Sequence, residues 1–244
     1  MRVALGLTPE LDVPYVATRS ATVDTMLDMA RVGPEDYVID LGTGDGRILL
    51  AAAEQRGARG LGVDLDPALV REARGNAEDL GVADRVTFAE QDLFETDLSR
   101  ASVVTMFLLP EVNLRLRPVL LEQLEPGSRV VSNRFDMGDW RPDDVRRTGG
   151  YNAYAWVVPA NIAGDWRLEV DGRSIPIRFE QEFQRVEGFA TLGQEQVIVS
   201  FSMDGADLRF TLDLGGEELH VFDGTVAGDR VVPGEGGEWS LTRR

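Results

Sequence analysis

Three aspartates stand at the ends of short apolar runs in the first hundred residues. Asp40 follows Val38-Ile39, Asp64 follows Gly60-Leu61-Gly62-Val63, and Asp92 closes Val86-Thr87-Phe88-Ala89-Glu90-Gln91. Between the first two lies Gly42-Thr43-Gly44-Asp45-Gly46-Arg47, running straight into Ile48-Leu49-Leu50-Ala51-Ala52-Ala53. Carboxylates accept hydrogen bonds from hydroxyl and amino groups. An acid about twenty residues beyond a glycine-rich turn suits a pair of ribose hydroxyls. Glycines let the backbone turn sharply and approach a ligand closely, and the helix that follows aims its free N–H groups back over the turn. Taken alone, a Gly-x-Gly-x-Gly loop also fits a dinucleotide site or a plain strand-to-helix connection. Asp40 stands where a dinucleotide fold keeps an apolar residue. Any one acid reads as a solvated strand end; three in register read as a site.

These residues need a parallel sheet to bring them together. Val38–Leu41, Gly60–Asp64 and Val86–Ala89 read as three βα units, which places Asp40, Asp64 and Asp92 on one carboxyl edge, where open α/β sheets bind ligands. The apolar run from Val103 to Leu109 reads as a fourth, central strand buried on both faces. Pro110-Glu111-Val112-Asn113 then opens a helix of about a dozen residues, and Arg129–Ser132 is the fifth strand. Ahead of the sheet, Val23, Met26, Leu27 and Ala30 mark a helix, with Ser20 or Thr18 as expected cap. Gly57 is expected to end the helix after the loop, and Asp66-Pro67 to start the next one. A long strand is expected over 151–158.

This order of motifs resembles the class I S-adenosylmethionine-dependent methyltransferases. The resemblance implies a Rossmann-like α/β sheet with helices on both faces and S-adenosyl-L-methionine as cofactor. It puts the methionine part at the Gly42–Gly46 loop, the ribose on Asp64 and the adenine amino group on Asp92. Val13-Pro14-Tyr15-Val16-Ala17-Thr18, and the stretch from Phe135 to Trp140-Arg141-Pro142, are similar to segments of a small protein-lysine N-methyltransferase family that includes mitochondrial members. There the lead-in approaches the cofactor. The cofactor positions so implied are Tyr15, Thr18, Asp40, Gly42, Thr43, Gly44, Asp64, Leu65, Gln91 and Asp92. Just past the fourth strand, where the fold presents the methyl group, Glu111 and Asn113 are the candidate catalytic residues. The Asn/Asp-Pro-Pro-aromatic tetrad of adenine methylation is absent, and Glu111 equally suits a helix start.

Composition narrows the field. No cysteine and one histidine, His220, argue against disulfides, thiolate chemistry and a zinc site. A formal charge of −17 opposes nucleic-acid binding, which depends on neutralising phosphates with Lys and Arg. Arg115, Arg117, Arg146 and Arg147 are the candidates for a local basic patch. No apolar stretch reaches membrane-spanning length, and no signal peptide is evident, so a cytoplasmic protein is expected. Possible acceptors are a protein lysine, a small molecule or, against the charge, RNA; a non-catalytic cofactor-binding module is the remaining reading.

After Ala160 helical periodicity stops, and strand-like runs alternate with Gly/Asp turns. The expected division is a methyltransferase domain over 1–160 and a small antiparallel β-domain over 161–244, a barrel or a sandwich. Its opening Gly164-Asp165-Trp166 and late Arg243 are similar to lipocalin-like barrels, in which such an arginine packs over the tryptophan. His220 reads as a structural strand residue, with substrate capture or a dimer contact as functional alternatives for this domain.

Overall fold

The computed structural model describes residues 18–215 and 219–244. The chain divides into two compact units, with the break between Trp156 and Val157. In the first, helix α1 (Ser20–Met29) precedes β1 (Tyr37–Leu41), α2 (Arg47–Arg56), β2 (Arg59–Asp64), α3 (Pro67–Asp79) and β3 (Val86–Glu90). A single 3-10 turn (Leu93–Glu95) leads to β4 (Val103–Met106), α4 (Pro110–Gln123), β5 (Arg129–Asn133), β6 (Asp144–Thr148) and β7 (Tyr151–Val157). The strands form one sheet in the order β3-β2-β1-β4-β5-β7-β6. β3, β2, β1, β4 and β5 run parallel to one another, while β6 pairs antiparallel with β7.

Strand alternation explains how the sheet is covered. Val38, Val103 and Val131 face a core shared with Met26 and Leu27 of α1, Leu49 and Ala52 of α2, and Val70 and Ala73 of α3. Ile39, Leu41, Val104, Met106 and Val130 point the other way and are equally buried. Apolar side chains on both faces require cover on both, as expected of a parallel sheet.

Several element ends differ from expectation for local reasons. α1 has Arg19 at its cap position with no side-chain cap, so neither Thr18 nor Ser20 plays that part. Asp66 does cap α3, accepting from the Ala68 amide at 2.8 Å, and Gly57 ends α2 at φ +75°. β4 stops at Met106, three residues before its apolar run ends. Pro118 lies inside α4. β6 is absent from the sequence reading: Asp144-Val145-Arg146-Arg147-Thr148 is an edge strand with mostly exposed side chains.

The second unit is a closed antiparallel barrel of β8 (Gly164–Val170), β9 (Arg173–Glu182), β10 (Arg185–Leu192), β11 (Glu195–Asp204), β12 (Asp207–Leu212), β13 (His220–Ala227), β14 (Arg230–Pro233) and β15 (Trp239–Arg243). This settles the barrel over the sandwich. The Trp166 indole donates to the Ile162 carbonyl at 2.7 Å, and the Arg243 guanidinium lies 4.6 Å above its ring. Arg243 also donates to the Ala163 and Asn161 carbonyls, so the paired signature residues close one end of the barrel. Phe179, Phe201, Phe210 and Phe222 line the interior in a chain of ring contacts. Among the described residues no helix is long and apolar enough to cross a membrane.

Candidate active site

The carboxyl edge of β1, β2 and β4 is built around Asp40, which is only 2% exposed. Its Oδ1 accepts from the Thr105 hydroxyl of β4 at 2.6 Å and its Oδ2 from the Thr43 hydroxyl at 2.8 Å. Burial pushes its carboxyl up to about 6; the two hydroxyls pull it back, and the nearby charges of Asp64 and Asp45 push it further up. Asp40 thus fixes the start of the glycine loop to the neighbouring strand.

The loop then folds over the end of β2. The Gly42 and Thr43 amides both donate to the Val63 carbonyl, at 3.0 and 2.9 Å. The Gly44 amide donates to Asp64 Oδ2 at 2.9 Å, and the Asp66 amide to Asp64 Oδ1 at 3.0 Å. Gly42 and Gly46 have φ of +73° and +83°, and a Cβ at either would stand 2.8 Å from the side chain of Leu108 or Phe88. Gly62 inside β2 is equally constrained, since a Cβ there would lie 2.6 Å from Thr43 Oγ1.

At the end of β3 the Gln91 amide donates to the Asp64 carbonyl at 3.0 Å, joining two of the three acids through backbone. The Gln91 side chain donates to Thr96, whose hydroxyl donates to the Asp92 carbonyl. Asp92 Oδ1 accepts from the Phe94 amide at 2.8 Å. Leu65 is half-buried in the turn between Asp64 and Asp66. The sequence-derived positions Asp40, Gly42, Thr43, Gly44, Asp64, Leu65, Gln91 and Asp92 therefore meet along one edge.

Thr18 is tied to the same edge by residues that the sequence reading passed over. Arg47, first residue of α2, donates to the Thr18 carbonyl at 2.7 Å and to both oxygens of Asp45. Asn76 of α3 donates to the Asp45 carbonyl at 3.1 Å. Tyr15 lies outside the described residues. Glu111 is exposed on the first turn of α4, where a carboxylate complements the helix end. Asn113 is fully buried two residues on in the same turn, and its Nδ2 donates to Ser132 Oγ at 3.1 Å and to the Phe135 carbonyl at 3.1 Å. Thr105 and Gly62 carried only a faint signal: a polar residue inside an apolar run, and a glycine inside a strand.

A seven-stranded sheet in this order, with a glycine loop and three acids at one edge, defines a class I methyltransferase fold. Residues 40–144 match the family model of the ANTKMT methyltransferase domain. Over 134 residues the chain is 45% identical to a protein-lysine N-methyltransferase of Saccharolobus islandicus (strain REY15A), covering 54% of this chain and 83% of that protein. Over 149 residues it is 38% identical to the adenine nucleotide translocase lysine N-methyltransferase of Mus musculus, covering 61% of this chain and 64% of that one. A crystal structure described as an RNA methyltransferase from Salinibacter ruber in complex with S-adenosyl-L-homocysteine aligns with a TM-score of 0.59 and 52% identity, over 60% of this chain and 96% of that one. The chain belongs to the methyltransferase family of the Saccharolobus islandicus protein and is an S-adenosylmethionine-dependent methyltransferase, with residues 40–144 matching the ANTKMT methyltransferase domain.

The residues present fit that cofactor. Asp64 keeps a second lone pair on each oxygen for a vicinal diol, and Asp92 has its Oδ2 free of the bond that holds Oδ1. A sulfonium cation suits an edge that carries Asp40, Asp45 and Asp64.

Proposed function

We propose that this enzyme transfers a methyl group to the side-chain amine of a protein lysine. The observation that carries the reading is the sign of the site: Asp64, Asp92 and Glu111 stand along one sheet edge, and a lysine side chain is a cation. The named activities of the archaeal and mouse relatives point the same way. Asp64 is assigned to the ribose hydroxyls, Asp92 to the adenine amino group, and the Gly42–Gly44 backbone to the methionine part. Asp40 is assigned a positioning role, since each of its oxygens already holds a threonine hydroxyl. Thr18 enters through its backbone, clasped by Arg47.

S-adenosylmethionine, when bound, supplies a methyl group on a sulfonium sulfur that a nucleophile's lone pair displaces in line. The chain's part is to align the acceptor with that group and keep water out. A lysine must also shed a proton before its lone pair is available. Glu111, at the mouth of α4, is assigned to drawing the cationic acceptor in.

A second reading, RNA as acceptor, rests on the description of the Salinibacter ruber structure. The formal charge of −17 opposes it, and of the candidate arginines Arg147 is exposed while the others are engaged within the protein. Arg115 lies 3.9 Å over the Phe94 ring, Arg117 donates to the Met137 carbonyl at 2.8 Å, and Arg146 pairs with Asp144 at 2.8 Å. The two are separated by incubating the enzyme and methyl-tritiated S-adenosylmethionine with cell lysate, then counting the protein, RNA and small-molecule fractions. Label in the protein fraction, released by acid hydrolysis as N-methyllysine, is expected; label confined to RNA would overturn the lysine reading. All 25 basic residues of this chain are arginine, so no such lysine could come from the enzyme itself.

A further inference from the structure

Among the described residues, two buried side-chain oxygens lack a hydrogen-bond donor: Asn113 Oδ1 and Asn133 Oδ1. They flank the end of β5: Asn113 meets it on the Ser132 face, and alternation turns Asn133 to the other face. Asn113 is in the first turn of α4, just past β4, and its Nδ2 donates to Ser132, the residue before Asn133 at the end of β5. A buried acceptor without a donor carries a desolvation cost, so each of the two calls for an explanation. Packing supplies none, because an apolar residue would fill the same space without that cost.

The two amides differ in how they are held. Asn113 Nδ2 donates to Ser132 Oγ and to the carbonyls of Phe135 and Asp136, which fixes its orientation and the path of the chain after β5. Asn133 is 5% exposed, and its Oδ1 has no hydrogen-bond donor among the described residues. That oxygen is an unfilled acceptor for an incoming N–H. That residue closes a strand on the carboxyl edge of the sheet, two strands from the Gly42–Gly46 loop. We propose that the Asn133 side-chain carbonyl receives an N–H of the methyl acceptor and so directs its lone pair, with Asn113 as the residue that positions this strand end. This rests on an amine being the acceptor. An amide oxygen suits it: it accepts from nitrogen without trapping the proton as a carboxylate would.

The test uses the five asparagines of the chain, Asn76, Asn113, Asn133, Asn152 and Asn161, labelled with 15N in the side-chain amide. The full-length protein, saturated with S-adenosyl-L-homocysteine, is titrated with n-butylamine as the lysine side-chain probe. Shifts of the Asn133 and Asn113 signals, with the other three stationary, are expected. A stationary Asn133 signal would overturn the proposal. Asn133→Ala supplies the second readout. It is expected to keep or raise the unfolding midpoint and to leave S-adenosylmethionine affinity unchanged, while kcat/KM for the acceptor falls tenfold or more. Asn133→Asp is expected to recover part of that loss. A lower midpoint with unchanged kinetics would assign Asn133 to structure alone. If the amine shifts Asn133 but the enzyme labels no lysine in lysate, the lysine reading fails and the amine contact stands.

Discussion

Asp40 and Asp36 set opposite pH dependences at the scale of single residues. The Asp36 carboxylate bonds Ser102, the Gly33 amide and Arg129; burial raises its pKa, and these partners together lower it below the ordinary value. Its contribution to stability is present above the unfolded pKa and is lost as pH falls. Asp40 runs the other way, since its folded pKa is about 6 against 3.8. Between those values the native state holds a proton that the unfolded chain does not, so stability from this group falls as pH rises through the window. Above pH 6 the ionised form costs about 3 kcal/mol relative to the unfolded chain, at about 1.36 kcal/mol per unit. Urea unfolding of the wild type and Asp40→Asn at pH 4.5 and 7.5 checks this: the wild type should lose ground to the variant at the higher pH. The three acids were legible in the sequence because each interrupts an apolar run. The Arg47–Asp45–Thr18 clasp was not, because Thr18 meets Arg47 only once α1 has packed against α2. Arg47→Gln is expected to weaken S-adenosylmethionine binding severalfold by freeing Thr18 from the loop, which calorimetry would measure.

At the scale of elements, the sheet depends on places where side chains are missing. Gly62→Ala would drive a methyl group into Thr43 Oγ1 and the Phe88 ring, forcing the loop off Asp40. A tenfold or greater loss of cofactor affinity is expected, with a lowered unfolding midpoint; unchanged affinity would separate the loop's position from binding. The same kind of vacancy blurs β10 in the sequence. Gly188 breaks the apolar alternation of Val186, Ala190 and Leu192, yet it faces inward, where a Cβ would stand 2.9 Å from the Phe179 ring. β6 escaped for the opposite reason, as an edge strand presents charge to water and leaves no apolar rhythm. β1, β2 and β3 were legible because their runs end in turn glycines and acids.

At the scale of the whole molecule, the two units were legible as a change of periodicity after Ala160, and the barrel through two residues nearly eighty positions apart. Arg243→Ala removes the cation over Trp166 and the bonds to the Asn161 and Ala163 carbonyls. A loss of about 2 kcal/mol from barrel stability is expected, read as an earlier tryptophan-fluorescence transition in urea. The net charge of −17 implies self-repulsion, so the thermal midpoint should rise as sodium chloride is added. The central claim is that the edge formed by Asp40, Asp64 and Asp92 is the cofactor site. Calorimetric titration of S-adenosylmethionine into the wild type and Asp64→Ala tests it most directly. Micromolar or tighter binding is expected for the wild type, weakened by about 1.5–3 kcal/mol in the variant, as for a hydrogen bond to a charged group. Equal affinity in a folded Asp64→Ala protein would contradict it.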